Sequence, residues 1–459
     1  MIIRIDKIVY PGRRLGLAEG KVVFTDRGLP GETVEVEPLR DRGSYLEART
    51  ERVIEAAGGR VEPRCGHWPA CSPYQDMGYA LQLEVKAGQV AEILARELKR
   101  PFEAPEIVPS PEVWGYRNKI RLKVAREGGA VTLVYNEPGE RASFVAVDRC
   151  ELVPERVNAL IARVRQIVAD GPFGSVEAVE VRTSRSSGQS LLALDLASGA
   201  EAKALGEALA AIRREHALAG AVASVSDGKR RRDERLFGRE FVEETVRGLT
   251  FRIGARSFFQ ANVGILERVL DDMAAAVAAA GAGAGAGRGG AGVEGELAGA
   301  GVEGELAGAG GARTEPVVAD LYCGLGLFGA FLARGAREVF GVESEAANAA
   351  LLKKNLGLNR IGNFAVCEGT TEEWLPEVLD RAPDVVVLDP PRRGVHPSVV
   401  AGLAADPAPL VLYLSCNPAT LARDLKGLLG AYALAGLRVY DFFPHTPHIE
   451  SLAILHRGR

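Results

Sequence analysis

A carboxylate and a thiol near the end of this 459-residue chain are the side chains best placed to do chemistry. Asp389 opens the run Asp389-Pro390-Pro391-Arg392, and Cys416 sits in Ser415-Cys416-Asn417-Pro418. Each follows an apolar, β-branched run, Asp384 to Leu388 and Leu410 to Leu414. Such runs read as buried parallel strands. Both groups then lie at carboxyl ends of strands, where open α/β sheets place their ligands. Two prolines make the loop after Asp389 rigid. Asn417-Pro418 reads as a helix start, and a helix N-terminus lowers a thiol pKa and favours the nucleophilic thiolate. Glu450, in Pro444-His445-Thr446-Pro447-His448-Ile449-Glu450, is a candidate base. The two His there have no carboxylate or Cys arranged around them in sequence, so they are not read as metal ligands. Cys323 and Cys367 read as inert packing at strand ends.

A second constellation lies upstream. Glycines 324, 326 and 329 fit G-x-G-x-x-G after a strand starting near Val317, and Glu343 ends the next strand. Glycines let the backbone approach a nucleotide, and the acid can grip two ribose hydroxyls. Dinucleotide and S-adenosylmethionine sites look alike at this level.

The elements that must position these groups are legible as strand and helix alternating from residue 314 to 459. Strands start near Val317, Val339, Phe364, Val385, Leu410 and Leu437, and Leu452 to Leu455 is the last. Residues 1–55 alternate apolar and polar in short runs, Arg4 to Tyr10, Lys21 to Phe24, Glu32 to Val36 and Tyr45 to Ala48, which predicts a small barrel. A helix is expected from Tyr79 to Lys99, with Leu81, Leu83, Val90 and Leu94 on its apolar face. Another is expected from Pro154 to Val168, and a strand over 190–195. Lys229 to Arg235 reads as a solvated charged loop, with a phosphate contact as the alternative. Residues 277–313 are Gly/Ala-rich, carry a tandem nine-residue copy at 292–300 and 301–309, and are expected to be a disordered insertion after a helix over 263–279.

Bulk properties bound the rest. A net charge of −4 does not announce a nucleic-acid protein, so any RNA site must come from local patches. No run is apolar enough to cross a membrane, the start does not read as a signal peptide, and a cytoplasmic monomer is expected. Six cysteines in so long a chain are too few for a disulfide scaffold.

Together these segments resemble the RNA uracil-C5 methyltransferase family. The matching stretches are Ser257-Phe258-Phe259-Gln260-Ala261-Asn262, Asp320 to Gly326, Asp389 to Arg392, Ser415 to Pro418 and His448-Ile449-Glu450. Gly28 to Glu32 with Val34 is similar to a TRAM domain, and Trp114 to Lys119 fits the family's central domain. Methyltransferases of exocyclic amines follow Asp/Asn-Pro-Pro with an aromatic residue; Arg392 stands there instead, against an amine substrate.

The resemblance implies an α/β fold class: a C-terminal Rossmann-like methyltransferase domain, an N-terminal TRAM or OB-like barrel and a central α+β domain. The boundaries expected are 1–55 for an RNA-binding barrel, 56–260 for the central domain, 277–313 for the insertion, and 261–276 with 314–459 for the catalytic domain. It implies Cys416 as nucleophile on C6 of a uridine and Glu450 as base. Gln260, Tyr322, Glu343, Glu368 and Asp389 would hold S-adenosylmethionine, with Glu368 placed by spacing alone. Leu327 stands where the family often has Asn. The partner implied is transfer or ribosomal RNA, with the target base flipped from its stack.

The family often binds a four-iron, four-sulfur cluster through Cys-x5-Cys-x2-Cys and a distant Cys. Cys65 and Cys71 keep the first spacing and Cys150 fits the distant position, but Tyr74 replaces the third cysteine. The three thiols either hold a cluster or are remnants of one. Two rival readings stand beside the methyltransferase: a nucleotide-cofactor oxidoreductase built on Gly324, Gly326 and Gly329, and a non-catalytic RNA-binding protein.

Residues 280–311 contain few large apolar side chains. Deleting them is expected to leave activity and melting temperature nearly unchanged. Calorimetry showing a loss beyond that of one mild core mutation, roughly 2–4 °C per kcal/mol at this size, would contradict that expectation.

Overall fold

The alternation read at the N-terminus folds into a closed barrel. The computed structural model describes residues 1–136, 143–226, 228, 231–285 and 315–458. Strands β1 (Ile2–Val9), β2 (Arg13–Ala18), β3 (Lys21–Thr25), β4 (Thr33–Asp41) and β5 (Tyr45–Glu55) close in the order β1-β2-β3-β5-β4. Ile3, Ile5, Val23, Val34 and Val36 fill the interior, as a period of two requires. β2 is absent from the sequence reading because a charged residue, Arg14, occupies a buried position. Its guanidinium donates to the carbonyls of Gly12 at 2.6 Å, Gly28 at 3.2 Å and Pro73 at 2.7 Å, and lies 3.7 Å from Asp76.

A short helix α1 (Trp68–Cys71), the long helix α2 (Tyr79–Leu98) and strand β6 (Glu106–Val108) follow. A seven-stranded sheet is then built from β7 (Lys119–Glu127), β8 (Ala130–Asn136), β9 (Phe144–Ala146), β10 (Val176–Thr183), β11 (Ser190–Leu196), β12 (Leu218–Ser226) and β13 (Arg231–Gly238), in the order β13-β12-β11-β10-β7-β8-β9. Helices α3 (Glu155–Asp170) and α4 (Ala202–Ala211) cover one face, burying Ile120, Leu122, Val179, Leu192 and Leu194. Arg231 to Arg235, expected in a loop, lie in β13, where they alternate along an edge strand; Lys229 and Arg230 fall outside the described residues. The hairpin β14 (Phe241–Val246) and β15 (Leu249–Gly254) leads to α5 (Val263–Gly285), which runs past its expected end at 279; most of the 277–313 segment lies outside the described residues.

The C-terminal unit alternates as expected: β16 (Val317–Leu321), α6 (Leu327–Leu332), β17 (Glu338–Glu343), α7 (Ala346–Leu358), β18 (Phe364–Glu368), α8 (Thr371–Asp380), β19 (Val385–Leu388), α9 (Pro397–Ala405), β20 (Leu410–Ser415), α10 (Pro418–Leu428), β21 (Tyr432–Tyr440) and β22 (Glu450–Arg457). Its sheet has the order β18-β17-β16-β19-β20-β22-β21-β6. The first five strands are parallel and β22 is antiparallel to both neighbours. β6 joins this sheet beside β21, and α2 packs on α10. Part of the segment expected in the central domain over 56–260 therefore belongs to the C-terminal unit. A three-residue strand carries too little periodicity to be seen in sequence.

Helix α2 holds the assembly together by polar contacts that its apolar stripe hides. Gln82, Lys86 and Gln89 share one face and are buried. Gln82 donates to the carbonyls of Tyr74 and Met77, lies 3.0 Å from His445 Nδ1, and accepts from the His445 N–H. Lys86 donates to Asp441 Oδ1 at 2.5 Å and to the Phe443 carbonyl at 3.0 Å. Gln89 donates to the Ile8 carbonyl of the barrel. Removing one partner of such a pair leaves an uncompensated buried charge. Lys86→Met is expected to cost about 3–5 kcal/mol in denaturant unfolding, and Lys86→Met with Asp441→Leu to recover most of it. Equal losses in both variants would contradict this.

Candidate active site

The carboxyl ends of β19 and β20 and the start of β22 lie side by side, and they carry Asp389, Cys416 and Glu450. Asn417 caps α10 by accepting from the Ala419 N–H at 3.1 Å, and its side-chain amide donates to the Arg392 carbonyl at 3.0 Å. The loop after Asp389 is thereby tied to the turn that presents Cys416. Arg392 Nη2 lies 3.3 Å from His448 Nδ1. Burial and the nearby cations Arg392, Arg117 and Lys86 push His448 down to about 3, so it is neutral.

The electrostatics of this cluster correct one expectation. Cys416 stands before a helix, yet its thiol is pushed up to about 12, first by burial and then by Glu450 and Asp389, while Arg392 pulls it down. Desolvation and two carboxylates outweigh the helix N-terminus. Glu450 is 2 % exposed, its Oε1 has no hydrogen-bond partner, and burial with Asp389 nearby holds its carboxyl well above the usual range. Asp389 is pushed up to about 8 by burial and by Asp320. Asp320, fully buried at the end of β16, is raised to about 7 by burial and Glu343, although it accepts from the Gly329 N–H at 2.8 Å. A row of carboxyl groups thus runs along the strand ends with Arg392 as the cation that acts on Cys416 and Glu450.

The glycine loop sits over the same edge. Gly326 has φ +81°, and a Cβ there would meet Leu352 at 2.2 Å, so only glycine allows α7 to pack this closely. At Gly324, φ +57°, a Cβ would meet nothing within 4 Å, leaving open space in front of the backbone. Glu343 bridges the N–H groups of Gly324 at 2.9 Å and Glu345 at 2.7 Å. Tyr322, in a left-handed conformation at φ +67°, directs its hydroxyl to the His396 N–H at 3.5 Å. Gln260 is buried, with its carbonyl held by the Asn118 side chain at 2.9 Å. Glu368 lies beside Glu343 in the strand pairing, but its carboxylate is half exposed and accepts from Lys353 at 2.5 Å. The barrel adds a residue that sequence reasoning missed. Tyr10, at the end of β1, feels Arg392, Cys416 and Glu450, and the adjoining Gly12 packs on Pro447. A barrel strand 400 residues upstream in a different unit offers no sequence signal for that contact.

The three remaining site cysteines do not fit an iron–sulfur cluster. Burial holds each of the thiols of Cys65, Cys71 and Cys150 above its ordinary range, Cys71 at about 12, and Cys150 lies near enough to raise the other two further. Gln75 donates to Cys65 Sγ at 3.2 Å and to Ser72 at 2.7 Å, and Cys71 Sγ lies 3.2 Å from the Ser72 hydroxyl. Tyr74, at the position of the missing ligand, is fully buried against Ile8, Leu29 and Met77, with its hydroxyl on Gln89. Among the described residues no three His, Cys, Asp or Glu side chains are arranged to hold one metal ion.

Comparison with known proteins agrees with the geometry. The family model for tRNA (uracil-5-)-methyltransferase matches residues 311–458. An uncharacterized RNA methyltransferase of Thermosynechococcus vestitus is 30% identical over 99% of this chain and 97% of its own length. The chain belongs to the RNA uracil-C5 methyltransferase family. A second RNA methyltransferase, from Gloeobacter violaceus, is 30% identical over 96% of this chain and 93% of its own. The solved tRNA (uracil-54, C5)-methyltransferase of Pyrococcus abyssi shares the fold, with a TM-score of 0.70 and 23% identity over 99% of this chain and 100% of that one. The chain is thus an RNA methyltransferase with an N-terminal barrel and an α/β C-terminal unit. No helix among the described residues is long and apolar enough to cross a membrane.

The electrostatics of this cluster make a pH prediction. Cys416 in the free protein should titrate far above the ordinary thiol value of about 8.5. Its alkylation by iodoacetamide, followed by peptide mapping, should therefore be slow at neutral pH. Asp389→Asn and Glu450→Gln should each lower the midpoint, and Arg392→Ala should raise it further, following the sign of the charge removed. A wild-type midpoint at or below the ordinary value would contradict the arrangement.

Proposed function

We propose that the chain methylates C5 of a uridine in transfer or ribosomal RNA, with Cys416 as nucleophile, Glu450 as base and S-adenosylmethionine as donor. The observation that carries this reading is the cluster of Cys416, Glu450, Asp389 and Arg392 at adjoining strand ends, where each acts on its neighbours.

The residues around the glycine loop fit the donor. Asp320, Glu343 and Asp389 form an acid-rich edge beside open space at Gly324, and raised carboxyl pKa values at Asp320 and Asp389 mark a site short of positive charge. A cationic ligand relieves that shortage. Glu343, whose carboxylate accepts from the Gly324 N–H, takes the ribose hydroxyls in this reading. Gln260, Tyr322, Asp389 and, at the rim, Glu368 complete the expected set.

Uracil C5 is a poor nucleophile. Once the thiol proton of Cys416 and the carboxyl proton of Glu450 have passed to solvent, the Cys416 thiolate forms a bond to C6, and the C5=C6 pair moves towards O4 as an enolate. S-adenosylmethionine, when bound, supplies an electrophilic methyl group, the S–CH3 electron pair staying on its sulfur as C5 takes the carbon. Glu450 then removes the C5 proton, and that electron pair re-forms C5=C6 and expels Cys416 as thiolate. Burial keeps Cys416 a thiol in the free protein, so that an idle thiolate does not accumulate. Arg392 stabilises the anionic forms of both reacting groups. The scheme contains no redox step and uses no iron.

Substrate RNA carrying 5-fluorouridine should form an adduct with the wild-type protein, because fluorine cannot leave as a proton. A denaturing gel should show a shifted band that Cys416→Ala lacks, and that variant should lose at least about a thousandfold in methyl transfer. Activity of Cys416→Ala within tenfold of wild type would rule out the covalent route.

A further inference from the structure

One face of the seven-stranded sheet is covered by α3 and α4; the other is packed against the β14–β15 hairpin at β11 and β12 and is open from β7 towards β9. Alternation along β7 puts Ile120 and Leu122 under the helices and Lys119, Arg121 and Lys123 on the open face. Strand pairing sets Arg182 beside Lys119, Glu180 beside Arg121 and Asp195 beside Ala178 on that same face. Asp195 is the hub of a cationic cluster: Arg121 and Arg256 donate to it, Arg256 at 2.6 Å, and Arg231 lies 3.5 Å away. Glu180 takes Lys119 at 2.9 Å. Both acids lie under the surface, 6–7 % exposed, while the side chains of Arg121, Arg231, Arg256 and Lys119 are 33–47 % exposed. Solvent and ligand therefore meet the cations. Glu177 and Asp233 are the exposed acids here, paired with Arg231 and Arg256 at the edge.

Two further observations point to an anionic ligand with aromatic bases. Arg182, 1 % exposed and bonded to the Ser257 carbonyl through Nη2, has two buried nitrogens, Nε and Nη1, with no acceptor. Its charge adds to those of Lys119 and Arg256, which repel one another. At the far end Phe144 is 46 % exposed with Lys123 5.6 Å from its ring centre. A basic surface with an exposed aromatic ring is what a single strand of nucleic acid requires, phosphates on the cations and a base on the ring. The barrel is different. Residues 1–55 carry equal numbers of basic and acidic side chains, and Arg13, Lys21, Arg42 and Arg52 are each paired with an acid.

We propose that this open sheet face, from Lys119 and Arg256 to Lys123 and Phe144, is a track for the single-stranded RNA that flanks the target uridine. It rests on the RNA methyltransferase reading and adds where the strand is held. The track starts at the reaction site: Asn118, next to Lys119, bonds the carbonyl of Gln260, and Arg182 bonds that of Ser257. RNA entering the site from this side is gripped before the target base turns in, so the face sets affinity and not the chemical step.

The test measures binding of a fluorescent oligouridylate of about 12 nucleotides by anisotropy, from roughly 50 to 300 mM salt. Arg121→Gln and Lys123→Gln should each lower the slope of log affinity against log salt by about 0.7, the value for one lost contact to a single strand. Phe144→Ala should weaken binding on the order of tenfold at an unchanged slope. The barrel variant Lys21→Gln should match wild type. Methyl transfer at saturating substrate RNA should stay at the wild-type rate in all four, which separates this proposal from the identity of the catalytic residues. The side chains changed on the sheet are exposed and that of Lys21 is partly so, and an unchanged melting temperature confirms folding. Wild-type slopes and affinities in the sheet variants, or no binding of oligouridylate by the wild-type protein, would overturn the proposal.

Discussion

The buried ion pair between Lys86 and Asp441 is the contact on which the site depends. It joins two segments 355 residues apart, both almost fully removed from water. A pair so placed is worth little as net stability, because desolvation offsets most of the attraction. Its effect is on geometry. Asp441 follows β21, and the loop from there to Glu450 has no regular structure of its own. Lys86 fixes the start of that loop and Gln82 fixes its middle through His445, which stacks on Trp114 at 3.7 Å. Glu450 then enters β22 beside Ser415 and Cys416.

The same helix explains how the barrel comes to bear on the reaction. Gln89 bonds the Ile8 carbonyl, two residues before Tyr10, and Tyr10 faces Cys416, Glu450 and Arg392. Arg14 and Asp76 lock the barrel to the segment that leads into α2. The position of the barrel is therefore set by buried polar groups, which tolerate no sliding, together with the apolar contact of Ile8 and Leu29 with Tyr74 and Met77. A site assembled from the barrel, the loop before β22 and two strand ends, as proposed, needs that rigidity to hold Cys416 and Glu450 within the small tolerance that catalysis allows.

The absence of a fitting cluster at Cys65, Cys71 and Cys150 belongs to the same logic. In their place a hydrogen-bonded set of Gln75, Ser72 and the two nearer thiols closes the segment before α2. Tyr74 contributes to the core between barrel and helix, packed with Ile8, Leu29 and Met77.

Much of the C-terminal unit was legible in the chain. Buried parallel strands are continuous apolar runs with Gly or charged residues at their ends, so Val317 to Leu321, Val385 to Leu388 and Leu410 to Ser415 announce themselves, and their ends carry Asp389 and Cys416. The barrel was legible from its alternation except at β2, where Arg14 points inward. Charge states were not legible. A helix start argued for a thiolate at Cys416, but how deeply a thiol is buried and which carboxylates face it are properties of the assembled sheet. Nor could the sequence show that Tyr10 lies beside Cys416 and Glu450, that β6 extends the C-terminal sheet, or that the cations of β7 and the residues around Asp195 share one face of their sheet. Local periodicity determines which elements form and which residues terminate them, because it acts over a few residues. Which termini meet, and in what dielectric, depends on contacts hundreds of residues apart, and only the tertiary structure decides those.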